Sequence, residues 1–425
     1  MTLTGPCNAP DVVDVVALGE SMVTFLPSRP GRLADVPSFE RGIGGAESNV
    51  ACGLAAAGHS ARWVSRVGAD GFGDHLVAAV GAYGVDVSSV ERDAGRPTGV
   101  YFRTAGDRAT RGHEVAYYRA GSAASAMSVT NVDAKAVRSG RVLHLSGITA
   151  ALSQGCLELM RELTAPRAGR PLVSFDVNHR SGLWRAAEGP RVLLELARGA
   201  DVVFVGEDEA EEAWGIAGGP EAVRAALPEP GVLVVKQGSV GATAFVSAEG
   251  GGGGVPVARS SAPVGPSDDR RPQVAGSTQP EGRPTQPAAR PAQPAGSRAA
   301  GPMPTGAGGT PQARASDTRP RPAGAAGTFV PALTVEVVAT VGAGDAFAAG
   351  FLSATLRGLP VRDRLRHGHL WAAATLTAPG DLAPPPARDT ADRLAALDDA
   401  GWERLRLGPG WTQAAERADE EVRTP

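Results

Sequence analysis

Lysine is almost missing from this chain: Lys135 and Lys236 are the only two among 425 residues, while arginine is abundant. The bias reads as genomic base composition, and it makes Lys236 conspicuous. Cysteine is scarce as well. Cys7, Cys52 and Cys156 are odd in number, scattered and without metal-ligand spacing, so they provide no disulfide framework and suit a reducing cytosol. Charge of one sign is lacking too, since the formal net charge is −3; nothing electrostatic points to nucleic acid or to an anionic membrane. No apolar run approaches membrane length, and the N-terminus lacks a basic flank followed by an apolar core. A cytoplasmic protein is expected. A Gly-x-x-x-x-Gly-Lys-[Ser/Thr] run is also missing, which excludes a P-loop as a phosphate cradle.

What the chain does carry is an organising stretch near its C-terminal end, Val337-Val338-Ala339-Thr340-Val341-Gly342-Ala343-Gly344-Asp345-Ala346-Phe347. The β-branched run Val335 to Val338 reads as a buried strand ending at Thr340, and Ala346 to Leu356 reads as a helix. Between them, Gly342 and Gly344 let the backbone approach a bound group closely. Free N–H groups at the helix start, with the helix dipole, make an anion site. If that anion is a phosphoryl group in transfer, Asp345 stands where it can take the proton of the attacking hydroxyl. A Gly-rich turn with Asp345 as helix N-cap accounts for the same residues without a ligand.

The rest of the chain alternates strands and helices. Val12 to Leu18 reads as a strand, then Arg41-Gly42-Ile43-Gly44-Gly45-Ala46-Glu47-Ser48-Asn49 as a paired-glycine turn opening a helix of small residues. Room at Gly44 and Gly45 suits a polyhydroxylated ligand near Asn49. Arg62 to Val67 is a further strand, followed by the loop Gly68-Ala69-Asp70-Gly71-Phe72-Gly73 and a helix to Tyr83. Thr98 to Arg103 and Glu114 to Arg119 read as two alternating strands joined by a polar turn. Strands follow at Leu143–Leu145, Pro171–Asp176, Asp201–Val205 and Gly231–Val235, with a helix expected from Gly147 through Met160. A last long helix is expected from Leu365 to Leu376. Residues 249–327 are rich in Pro, Gly, Ala, Ser and Gln, with nine arginines against five acids. They cannot bury enough apolar surface to offset their ordering entropy, so a disordered insertion inside one domain is expected.

Two separated stretches agree on a family. Gly44-Gly45-Ala46-Glu47-Ser48-Asn49 with Gly68-x-Asp70-x-x-Gly73 resembles the N-terminal signature of the PfkB (ribokinase-like) carbohydrate kinases, and Thr340-Val341-Gly342-Ala343-Gly344-Asp345 resembles their C-terminal one. Tyr117-Tyr118-Arg119-x-Gly121-Ser122 and Asp176-x-Asn178-x-Arg180-x-x-Leu183-Trp184 are similar to the 2-keto-3-deoxygluconate (KDG) kinase branch.

The resemblance implies a doubly wound α/β domain over 12–381, a mostly parallel sheet with helices on both faces. A small β lid would come from about 20–43 and 97–120, and a helical, charged appendix would fill 382–425. It implies ATP and Mg²⁺ as cofactors and a sugar as substrate, KDG first, with neutral sugars or nucleosides, or a weakened kinase-like binding protein, as the alternatives. Asp345 would be the catalytic base, aided by Gly342, Ala343 and Gly344. Gly44, Gly45, Asn49, Tyr101, Tyr117, Arg119, Arg180 and Asp381 would hold the sugar. Asn178, Lys236, Gly238, Gly241, Gly342 and Gly344 would meet the nucleotide, and Glu209 would reach Mg²⁺ through water. In this family the lid often forms a dimer contact, so a homodimer through it is an expected partner. Two departures stand out: Gly206 replaces the usual Asn of Asn-x-x-Glu, and Ala339 replaces the Asp that usually precedes Thr340.

Overall fold

The structure is a computed structural model describing residues 12–29, 31–104, 114–184, 189–247 and 326–413. The expected leader 1–11, most of the expected insertion (249–325) and the charged tail from 414 lie outside the described residues. The organising element is a nine-stranded sheet in the order Thr328–Pro331, Gly241–Val246, Val232–Lys236, Val202–Gly206, Leu172–Asp176, Gly140–Ser146, Val13–Leu18, Ala61–Gly68 and Val90–Asp93. Every pairing from Val232–Lys236 to Val90–Asp93 is parallel, and the first two strands add an antiparallel edge.

The central strands are short, largely apolar runs covered on both faces, as parallel sheets require. Alternate residues go to opposite cores. Val203, Val205, Leu233 and Val235 join one buried cluster, whereas Val202, Phe204, Val232 and Val234 join the other. In the second cluster the helix Ala343–Leu356 lies against the sheet, with Phe351 edge-on to Phe204 at 5.4 Å between ring centroids. Burying a side chain such as Phe351 stabilises the fold by about 2–3 kcal/mol. Gly350 lets this helix sit close to the helix Val361–Leu376, since a Cβ there would lie 2.5 Å from the His367 carbonyl oxygen.

The chain winds from Val13–Leu18 outward to Val90–Asp93, then crosses back to Gly140–Ser146 on the other side of the first strand. That reversal opens a crevice at the carboxyl ends of the strands, where doubly wound sheets bind ligands. Beside it stands a separate four-stranded sheet, Phe39–Gly44, Met22–Pro27, Val100–Arg103 and Val115–Tyr118 in that order. Within it Phe25 stacks on Phe102 at 4.7 Å and Phe39 meets Phe102 edge-on, while Phe25 also meets Phe72 of the helix Gly71–Ala82 edge-on.

Three expectations are corrected. The run Val335 to Val338 is not a buried strand. Only Thr334–Val335 pairs, with Arg406–Leu407, and Val337 and Val338 are both 42% exposed; β-branched composition cannot form a strand where no ladder partner runs alongside. The helix expected from Ala346 begins at Ala343. The helix expected from Gly147 through Met160 is two, Gly147–Ala151 and Gln154–Thr164, because the Ser153 hydroxyl accepts from the Cys156 N–H and caps the second. Beyond Asp381 follow the helices Arg388–Ala395 and Asp399–Arg404, whose Ala391, Ala395 and Trp402 are buried in the second core. No helix among the described residues is long and apolar enough to cross a membrane.

Candidate active site

A cavity of about 480 Å³ opens at the carboxyl ends of the parallel strands, between the main sheet and the small one. Its floor is the start of the helix Ala343–Leu356. Gly342, the residue before it, has φ +81°, and a Cβ there would lie 2.0 Å from the Asp381 carbonyl oxygen. Only glycine makes both the left-handed turn and this approach. The helix start lacks a side-chain cap, so its first N–H groups and its dipole are free for an anion.

Gly344 and Asp345 line the cavity, as do Thr340 and Val341. Asn49 donates its Nδ2–H to Asp345 Oδ2 at 2.8 Å, joining two signatures 296 residues apart. Burial pushes the Asp345 carboxyl up to about 7, against the bond from Asn49; the charge of Asp176 adds to the rise, and Lys236 opposes it. An acid in that range can exchange a proton at neutral pH.

Beside it, Lys236 donates to both oxygens of Asp176 at 3.2 and 3.1 Å. Burial alone would lower the Lys236 ammonium, but Asp176, Glu209 and Asp345 together hold it above its ordinary value. It is a fixed cation. Nζ also lies 3.6 Å from where a Cβ of Gly344 would be. Asn178 is the one non-glycine residue of the described chain with positive φ, at 41°, and its Oδ1 has no partner among the described residues. Backbone strain and an unsatisfied oxygen thus coincide at the cavity wall. Glu209 accepts from the Gly206 N–H at 2.7 Å and lies 3.9 Å from Arg180. Its carboxyl is raised by burial despite Lys236. No trio of metal-ligating side chains exists among the described residues.

The opposite wall is the small sheet. The Tyr101 hydroxyl and an Arg103 guanidinium N–H both donate to Asp381, one to each carboxylate oxygen, and all three side chains are buried. Burial, then the charge of Asp381, holds the Tyr101 hydroxyl well above the usual phenol range. Arg119 pairs with buried Glu20, whose other oxygen accepts from the Ser122 hydroxyl at 2.5 Å. Tyr117 is half exposed at the mouth, with the Arg119 guanidinium 5.8 Å from its ring centre.

Of the site residues expected from sequence, the cavity gathers Gly44, Gly45, Asn49, Tyr101, Tyr117, Arg119, Asn178, Arg180, Glu209, Lys236, Gly342, Gly344, Asp345 and Asp381. Ala343, Gly238 and Gly241 are not among its lining. Gly241 has a packing reason of its own: a Cβ there would lie 2.4 Å from the Val330 carbonyl oxygen and against the Phe329 ring. Glu20, Arg103 and Asp176 were missed. Asp176 was legible as the acid opening Asp-x-Asn-x-Arg, but Glu20 and Arg103 carry no local motif, only distant partners.

The description "pfkB family carbohydrate kinase" matches residues 13–264 and 316–388. A 2-dehydro-3-deoxygluconokinase of Thermoproteus tenax is 34% identical over 238 residues, covering 55% of this chain and 72% of that protein. Fructokinase-1 of Oryza sativa subsp. japonica is 33% identical over 205 residues, 48% of this chain and 62% of that protein. The crystal structure of a PfkB protein from Polaromonas sp. JS666 superposes with a TM-score of 0.64 at 28% identity, covering 90% of this chain and 99% of that one. With its matched segments spanning most of the sequence, its doubly wound sheet and its glycine-led helix start ending on an acid, the chain belongs to the pfkB family of carbohydrate kinases.

Proposed function

We propose that this kinase transfers the γ-phosphoryl group of ATP to a hydroxyl of KDG or a closely similar acidic keto sugar. The observation that carries the chemistry is Asp345, oriented by Asn49 at the uncapped start of a 14-residue helix and tuned to about 7. Asp345 takes the proton of the acceptor hydroxyl as the new O–P bond forms and the bond from the γ-phosphorus to the bridging oxygen breaks, leaving ADP. The N–H groups following Gly342 and the fixed Lys236 cation stabilise the oxygens of the group in flight. ATP suits this end of the cavity, since the helix N–H groups and Lys236 are donors for phosphate. Mg²⁺ carried with ATP would neutralise phosphate charge, with Glu209 and Asp176 as the nearby carboxylates.

The acidic sugar is supported by Arg119 and Arg180, because a guanidinium fork binds a carboxylate well. Arg119 is ion-paired with Glu20, while its Nε–H has no hydrogen-bond partner among the described residues. The second reading, a neutral sugar such as fructose, is favoured by that same pre-formed pair, which lowers the positive charge on offer.

The test is ADP release by purified protein with Mg-ATP across KDG, its galactose-derived epimer, fructose, ribose and adenosine. Selective turnover of the two acidic keto sugars is expected. Turnover of fructose or ribose alone would replace the substrate, and silence with every sugar, despite ligand-induced thermal stabilisation, would replace catalysis by binding.

A further inference from the structure

Arg103 carries no motif, yet it sits at the centre of the contact between the small sheet and the main body. It ends the strand Val100–Arg103, and its partner Asp381 lies 278 residues away, after the helix Val361–Leu376. The pair is almost fully buried, at 6% and 3% side-chain exposure. Tyr101, two residues earlier on the same strand face, holds the other oxygen of Asp381. The Gly44-Gly45 turn closes directly on this triad: a Cβ on Gly44 would lie 2.2 Å from the Tyr101 hydroxyl and 2.6 Å from Asp381 Oδ2. The triad is therefore part of the sugar end of the cavity, not a remote brace.

The cavity as a whole is lined by five carboxylates and four cations. A pocket so balanced would repel an anionic sugar if one more negative charge were uncovered, because attraction and repulsion act at close range in a partly desolvated space. Asp381 is the carboxylate nearest the paired-glycine turn, and Arg103 is its only ion-pair partner among the described residues.

We infer that Arg103 is a specificity-determining residue that acts through Asp381: by neutralising and orienting this carboxylate it lets the cavity accept an anionic sugar. The inference rests on the acidic-sugar reading above. Arg103 is thus a positioning residue, and its loss shows in the discrimination between acidic and neutral sugars, not in the chemical step.

The experiment measures kcat and KM for KDG and for fructose with Mg-ATP on the full-length chain. It compares wild type with Arg103→Met, Arg103→Lys, Asp381→Asn and the double variant Arg103→Met/Asp381→Asn, each checked by thermal melting. Arg103→Met is expected to raise KM for KDG at least about tenfold with kcat changed less than about threefold, while any turnover of fructose is spared. Arg103→Lys is expected to keep most of the affinity. Adding Asp381→Asn to Arg103→Met should return KM to that of Asp381→Asn alone. Equal losses for both sugars would overturn the proposal. So would a double variant far weaker than Asp381→Asn, which would put the unpartnered Arg103 Nε–H on the sugar itself. If Arg103→Met fails to fold, the Arg103→Lys variant and the comparison of double variant with Asp381→Asn still decide. Wild-type turnover of neutral sugars alone would remove the acidic-sugar reading and this inference with it, and that result comes before any variant is made.

Discussion

On the main-sheet side of the cavity, Asp345 is oriented by a neutral amide, Asn49 at 2.8 Å, and no cation among the described residues forms an ion pair with it. On the small-sheet side every arginine is closed against a carboxylate, Arg103 on Asp381 and Arg119 on Glu20. The contrast separates two tasks. A base must keep its proton affinity near the working pH, which a direct cation would depress. A recognition wall gains instead from charges that are fixed in direction and already balanced, so that a ligand meets donors without drawing in stray anions. On the proposed reading the floor performs chemistry, and the wall sorts ligands.

The largest test of that division removes the base. Asp345→Asn keeps the shape and can still engage Asn49, but it cannot accept a proton. The expected result is a fall in kcat of about 10³-fold with sugar KM within a few-fold; a near-normal rate would end the assignment. The same carboxyl gives a pH signature. In wild type, activity should rise with pH through about 7 as Asp345 ionises, and Asn should abolish that limb. Stability runs the other way. The folded-state pKa lies above the ordinary 3.8, so between about 4 and 7 the folded state holds the extra proton and stability falls as pH rises. Asp345→Asn should therefore be more stable than wild type above pH 7, by about 1–2 kcal/mol after allowance for its partial exposure. Chemical denaturation at pH 5 and pH 8 checks the sign.

The wall is tested by Arg119→Ala, with a smaller and different effect. KM for the acidic sugar should rise about 30-fold while kcat changes little, since nothing here touches the transferring phosphoryl group. Glu20, almost fully buried at 3% exposure, would be left without its cation, so stability should also fall by about 3 kcal/mol. A drop in kcat as large as that of Asp345→Asn would erase the distinction between floor and wall.

The two sides also differ in how much of them could be read from sequence. The floor was legible because its parts are adjacent: Gly342, Gly344 and Asp345 lie within four residues, and Gly342 is demanded by its left-handed turn. The parallel sheet was legible for a similar reason, since most of its buried strands are short apolar runs. The wall was only half legible. Tyr101, Tyr117 and Arg119 alternate on strands, yet nothing near Arg103 or Glu20 announces partners 278 and 99 residues away. Long-range ion pairs leave no periodicity. The false strand at Val335 to Val338 fails for the opposite reason: its composition is right, and the missing piece is a neighbouring strand along Val337 and Val338.

The smallest effect probes where the floor ends. Gly238 was expected to lie along the nucleotide, but it does not line the cavity. It has φ +56°, and a Cβ there would meet nothing within 4 Å. Gly238→Ala therefore adds no collision, only the strain of a left-handed residue with a side chain, about 1 kcal/mol. Melting should fall by a few degrees, and KM for ATP should stay within about twofold. A tenfold rise in that constant, with sugar KM unmoved, would extend the nucleotide site from Lys236 out along the turn to Gly238. The phosphate end would then be built by two loops rather than by the helix start and Lys236 alone, and the floor would be broader than the cavity outlines it.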